Sequence, residues 1–171
     1  MANPPAWSNV QVRLSFNGAD ASTTITDLSD AARGFTVIGN AQLDTSIKKY
    51  GSAALLLDGT GDSIRCESIT TLVLSGDFTA EAWAYFVDAT PATFECVFKA
   101  ADGIGFSNIS VLRNTSGNLL LFMNGGTRIT SGSAVSNGAW HHVAVERIGS
   151  TVKLYVDGVS QGTYTSSSTY D

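Results

Sequence analysis

The chain has 171 residues, with 15 acidic and 10 basic side chains and a formal net charge of −5. About 100–200 residues make one domain, and 43% hydrophobic with 15% charged residues excludes a disordered chain. No apolar run approaches the roughly 18–20 residues that cross a bilayer, and no cluster of Lys or Arg offers nucleic acid a track of phosphate contacts.

The chain opens Met1-Ala2-Asn3-Pro4-Pro5-Ala6-Trp7, with neither a basic n-region nor an apolar h-region, so no secretory signal is read there. Residues 1–9 are expected to be an N-terminal extension, and 10–171 a single domain. Val10, Val12, Leu14 and Phe16 alternate with polar residues, the period of a half-buried strand. Thr26 to Arg33 reads as one short helical turn, capped by Ser29 or Asp30 and stopped by Gly34. Further strands are predicted at 35–38, 53–58, 63–67, 78–87, 94–99, 108–113, 118–123, 140–147, 151–157 and 161–165. Turn signals separate them, among them Asp58-Gly59-Thr60-Gly61-Asp62, Ser75-Gly76-Asp77, Asn124-Gly125-Gly126 and Asp157-Gly158. No other segment keeps a helical period for ten residues, and no repeat or linker divides the chain. The prediction is an all-β, antiparallel domain. Cys66 and Cys96 fall in separate strand candidates: two buried free thiols are expected, with a disulfide as the alternative if those strands are neighbours.

Alternation also sorts the faces. Phe78, Ala80, Ala82, Ala84 and Phe86 share one side of their strand, as do Val143 with Val145, and Val152 with Leu154 and Val156. These are the predicted core, since exposing a large apolar side chain forfeits roughly 1.5–3 kcal/mol. If these strands are neighbours, the opposite face gathers Glu81, Trp83, Tyr85, His142, Glu146 and Tyr155, the candidate ligand-binding residues. Aromatic rings beside carboxylates suit a sugar, whose C–H face covers the ring while its hydroxyls donate to the carboxylates. The competing reading gives these side chains a packing role under a covering loop. Glycosidase chemistry needs two carboxyl groups about 5–5.5 or 6.5–9.5 Å apart, and only Glu81 with Glu146 can be assembled across strands. No Ser-His-Asp arrangement is suggested by the order of residues. Adjacent His141 and His142 point to opposite faces of a strand and cannot share a zinc ion. Arg65, Arg113, Arg128 and Arg147 are expected on solvated strand faces, and Gly125-Gly126 in a hairpin.

Three segments carry a recognisable pattern: Gly51 to Ile64 (GSAALLLDGTGDSI), Phe78 to Ala84 (FTAEAWA), and Trp140-His141-His142-Val143-Ala144-Val145-Glu146 running on to Leu154-Tyr155-Val156-Asp157-Gly158. In this order and spacing the chain resembles laminin-G-like domains of the concanavalin-A-like lectin and glucanase superfamily over about residues 10–165. The resemblance implies a jelly-roll β-sandwich serving as an adhesion or sugar-binding module. It also implies structural roles for the signature Trp and the second His, and an optional structural calcium, for which Asp27, Asp30, Asp58 and Asp62 are the candidates. No other cofactor is required. The glucanase members carry a Glu-x-Asp-x-Glu run that this chain lacks. Relatives continue past the Tyr-Val-Asp-Gly hairpin to a last strand, whereas this chain stops at Ser168-Thr169-Tyr170-Asp171. The expectation is therefore a fold lacking its last strand or strands, as a fragment or with a neighbouring subunit covering the edge.

The function expected is a non-enzymatic adhesion or decoration module of a virion or extracellular assembly, of the phage capsid-decoration or tail-fibre type. Its partners would be other subunits and glycans. The alternatives are a carbohydrate-binding module of a secreted bacterial protein and a glycoside hydrolase using Glu81 and Glu146.

Overall fold

The computed structural model of the chain describes residues 9–66, 74, 76–88, 91–100 and 109–166. Residues 1–8 of the expected extension, the predicted strand ends Glu67 and Asn108, Ser75 of a predicted turn, and 167–171 lie outside them, as does the expectation of a missing last strand. Two compact units are formed, Met1–Leu72 and Val73–Asp171.

The first unit holds two short antiparallel ladders. β1 (Phe35–Ile38) pairs with β4 (Ser63–Cys66), and β2 (Gln42–Asp44) with β3 (Ala54–Leu56). The expected strand over Val10–Phe16 does not form. Phe16 sits at φ 54°, outside the extended region, and only Leu14 bridges, to Asp27. The buried Asp27 carboxylate organises this stretch instead: Oδ1 accepts the N–H groups of Arg13 (2.8 Å) and Ser29 (3.0 Å), and Oδ2 accepts the Arg33 N–H (3.0 Å) and the Ser29 hydroxyl (2.8 Å). Burial alone would raise its pKa, but these donors outweigh burial and hold the carboxyl below its ordinary value. The helical turn expected at 26–33 is accordingly a single non-helical turn, closed by Ala32 N–H to Ser29 O, with Asp27 in the role assigned to Ser29 or Asp30. β2 escaped prediction because three residues are too short to show alternation, although its Leu43 is buried.

The second unit is a sandwich of two four-stranded antiparallel sheets. One has the order β12 (Val159–Thr165), β11 (Thr151–Val156), β10 (Trp140–Ile148), β5 (Phe78–Tyr85). The other runs β6 (Glu95–Ala100), β7 (Ile109–Arg113), β8 (Asn118–Met123), β9 (Gly126–Ala134). Val143, Val145, Val152 and Leu154 of the first sheet and Val111, Leu119, Leu121, Met123 and Ile129 of the second form one buried cluster, joined by Phe86 and flanked by Phe78 and Ala84. Of the core read from alternation, Phe86, Val143, Val145, Val152 and Leu154 are buried in this cluster, Phe78, Ala84 and Val156 are half-buried against it, and Ala80 and Ala82 stay half-buried outside it.

β9 was not predicted. Its sequence, Gly-Thr-Arg-Ile-Thr-Ser-Gly-Ser-Ala, has a single large apolar residue, Ile129, and the strand ends its sheet. It is placed by the hairpin before it, where Asn124 and Gly125 both take positive φ (49° and 74°), the twist that antiparallel neighbours prefer.

Two of the four arginines, Arg113 and Arg147, depart from the expected solvated faces, while Arg128 is exposed as expected. Arg113 is fully buried and donates from Nη1 to Glu95 Oε2 and to Asp88 O, both at 2.9 Å, with its guanidinium 4.6 Å from the centre of the Phe86 ring. Arg147 is buried and caps Gly149 O through Nε (2.8 Å). Arg128 braces the β8–β9 hairpin by donating to Met123 O and Asn124 O. A planar guanidinium can enter a core edge where carboxylate and carbonyl oxygens meet its fork. Neither cysteine is in a disulfide; Cys66 is half-buried and Cys96 exposed, so the expected pair of buried thiols is not formed.

Candidate functional site

β5, β10 and β11 are consecutive in one sheet, which fulfils the condition on which the candidate face was built. The register sets Trp83 opposite His142, Tyr85 opposite Trp140, Glu81 opposite Ala144, and Ala144 opposite Tyr155. All six candidates therefore share the face turned away from the core, over a floor made by the buried Ala144.

They form two groups on that face. Trp83, 40% exposed, tilts against His142 with ring centroids 5.1 Å apart, and His142 Nε2 lies 3.3 Å from Glu81 Oε2. Tyr155 donates its hydroxyl to Glu146 Oε2 (3.1 Å). Tyr85 belongs to neither group; its ring packs on Trp140, 5.5 Å away, at the end of the strand pair. Glu81 and Glu146 are diagonal neighbours, but Glu81 leans toward His142 and Glu146 toward β11, so the two carboxylates turn away from each other. Trp140 and Lys153, the latter opposite Glu146, complete the face; alternation placed both there, but neither was chosen as a site residue. A depression of about 230 Å³ lies between Glu146, Ile148, Thr151 and Lys153.

A second feature went unread in the sequence. His141 points away from His142, and its Nδ1 lies 2.7 Å from Asp157 Oδ2, while its Nε2 lies 3.0 Å from Ser136 Oγ and 3.1 Å from Ser136 O. Asp157 Oδ1 accepts the His142 N–H (2.8 Å). Burial works to raise the Asp157 pKa, but hydrogen bonds from the His141 side chain and the His142 backbone, with the charges of both histidines, hold it below its ordinary value. Asp157 Oδ2 accepts from His141 Nδ1, and the other ring nitrogen faces both oxygens of Ser136, its hydroxyl and its carbonyl. Three residue types expected to be unrelated thus stand in line. The signal was available in the Asp157-Gly158 turn (φ 50° and 78°), which folds Asp157 back onto the start of β10. The alignment braces β10 against the hairpin: Asp157 serves a side chain and a backbone donor together, and the Ser136 hydroxyl and carbonyl share the far imidazole nitrogen.

Two of the four candidate calcium ligands stand together. Asp58 and Asp62 meet in their loop, but Asp58 accepts Thr60 N–H and Asn40 Nδ2, and Asp62 accepts Asn40 N–H and Asp58 N–H. Calcium takes about 6–8 oxygen ligands. Each of these carboxylate oxygens meets one N–H donor and keeps a second lone pair, and no metal-holding group of three or more His, Cys, Asp or Glu occurs among the described residues, so a calcium ion there would draw on backbone carbonyls and water as well.

Solved structures share the fold. The binding domain of Paraclostridial Mosquitocidal Protein 1 superimposes with a TM-score of 0.67 at 17% identity, over 90% of this chain and 39% of that one. Domain 4 of AbnA, an extracellular GH43 arabinanase from Geobacillus stearothermophilus solved with arabinotriose, gives 0.60 at 20% identity, over 93% and 78%. Carbohydrate-binding module CBM66 from Bacillus subtilis gives 0.52 at 17% identity, over 81% and 83%. The chain thus spans about two fifths of the mosquitocidal binding domain and most of CBM66 and of the arabinanase domain. No curated protein matches it in sequence. A laminin-G family model matches residues 58–171, the stretch that holds the candidate face and the Trp-His-His and Asp-Gly signatures. By that match the chain belongs to the concanavalin A-like lectin/glucanases superfamily.

Proposed function

We propose that this chain is a non-enzymatic binding module that meets glycans through the outward face of β5, β10 and β11. The observation that carries the reading is Trp83: a large ring left 40% exposed, steadied by His142 and flanked by Glu81. Such a ring covers the C–H face of a sugar while nearby carboxylates accept hydroxyl hydrogens. Neighbours of the same fold that are carbohydrate modules, one solved with arabinotriose, support it. Catalysis by Glu81 and Glu146 is disfavoured because the two groups diverge toward separate partners.

The module works outside the cell or on a virion surface, held in an assembly of other subunits, with capsid decoration or a tail fibre as its place. The bacterial carbohydrate modules among its neighbours favour a second setting, a secreted bacterial protein. The glycan reading is tested by screening the purified chain on a glycan array and measuring the hits by calorimetry. Trp83→Ala is expected to weaken binding at least tenfold without changing the melting temperature; an empty array, or unchanged binding in the variant, overturns the reading. Antibody labelling of virions against culture supernatant separates the two settings.

A further inference from the structure

A cleft of about 440 Å³ opens in the second unit between β9 and β12, the end strands of its two sheets. It falls inside the roughly 300–1,000 Å³ range of small-molecule sites, unlike the 230 Å³ depression on the aromatic face.

Two bulges build it. In β9 the ladder to β8 breaks between Thr130 and Ala134, and Ser131 Oγ makes good the loss by accepting the Leu119 N–H (3.0 Å) and donating to Ser133 O (2.7 Å). In β12 the register shifts and leaves Gln161 over. The Gln161 amide spans the gap, accepting the Gly132 N–H (3.1 Å) and donating to Val159 O (3.0 Å). The cleft is therefore fixed before any ligand arrives, and bulges recur beside binding sites because they re-aim side chains. Its walls are unlike: Val135, Val156 and the 62% exposed Val159 are apolar, while Ser133, Ser136 and Asp157 are polar. Each Asp157 oxygen has taken one protein donor and retains a second lone pair, and Ser136 Oγ, paired with His141 Nε2, has a lone pair left to accept.

We propose that this cleft is a second carbohydrate site, which takes one neutral sugar ring. A vicinal pair of hydroxyls donates to Asp157 and Ser136, and the C–H face of the ring lies on Val159. The carboxylate disfavours uronic or sulfated sugars; His141 is held by Asp157 and Ser136, and no arginine or lysine among the described residues lines the cleft. The module is then bivalent, with the cleft and the Trp83 face as separate sites. This rests on the glycan-binding reading above but on different residues.

The test is a titration of the ¹⁵N-labelled full chain with arabinotriose, maltotriose, cellotriose and trigalacturonic acid, followed by NMR. Two clusters of shifted amides are expected with a neutral trisaccharide, one around Trp83 and one around Ser133, Ser136 and Val159. Val159→Asp should weaken the second at least tenfold and spare the first, and Trp83→Ala should do the reverse. Shifts at the cleft alone keep this site and overturn the Trp83 reading. Shifts at Trp83 alone overturn the cleft. No shift with any of the neutral sugars overturns both, and a preference of the cleft for trigalacturonic acid overturns the ligand class.

Discussion

The inner and outer faces of β5, β10 and β11 come from the same three strands, one residue out of phase, and have opposite chemistry. Inside, Val143, Val145, Val152 and Leu154 are wholly buried and meet only apolar neighbours in the core cluster. Outside, the aromatic rings and carboxylates pair with one another: Trp83 with His142, His142 with Glu81, Tyr155 with Glu146, Tyr85 with Trp140. The inner face needs only volume and exclusion of water, so aliphatic residues suffice. The outer face holds aromatic rings in set orientations at partial exposure, which contributes little to folding and suits recognition.

The difference can be broken from either side. Leu154→Ala is expected to cost the most, about 2–5 kcal/mol, because it opens a cavity in a fully buried site. Urea denaturation should show a lower midpoint with an unchanged slope, and a loss below 1 kcal/mol would mean that the two sheets are not packed through this face. Asp157→Asn should cost about 1 kcal/mol at pH 7, since the lost charge-assisted bonds are partly exposed to solvent. Its folded pKa is lowered, so its stabilisation is complete above the unfolded value of about 3.9 and fades as pH falls through the lower folded value. The gap between wild type and variant should therefore close below about pH 4 in melts taken from pH 3 to 7. A gap that persists there contradicts the assigned role of the charge. Tyr155→Phe removes one half-exposed hydrogen bond and should cost about 0.5 kcal/mol. Smallest of all, a fluorophosphonate probe should leave Ser136 unlabelled, as the bracing role of His141 requires; stoichiometric labelling would reveal an activated serine instead.

Much of this was legible in the sequence because alternation is a local signal. Phe78 to Phe86 and Trp140 to Glu146 sort their faces without any knowledge of neighbours, and the Asn-Gly and Asp-Gly turns state their geometry in two residues. What was illegible depends on partners distant in sequence. Val10 to Phe16 alternates well, yet Phe16 takes a left-handed conformation and the Asp27 carboxylate, 14 residues on, claims the Arg13 N–H. Gly126 to Ala134 has no alternation worth reading and is a strand because its hairpin lays it beside β8. Arg113 reads as a surface residue until Glu95 and the Asp88 carbonyl are brought to it. The same holds for the site. The six face residues followed from period two, whereas the line from Ser136 through His141 to Asp157 and the cleft beside it needed the β10–β11–β12 meander to close.

The most direct measurement is a crystal structure of the chain with a neutral trisaccharide that the array selects. The account predicts a sugar ring stacked on the Trp83 indole, with hydroxyls within hydrogen-bonding distance of Glu81 or His142. A bound trisaccharide that leaves the Trp83 face untouched would contradict it.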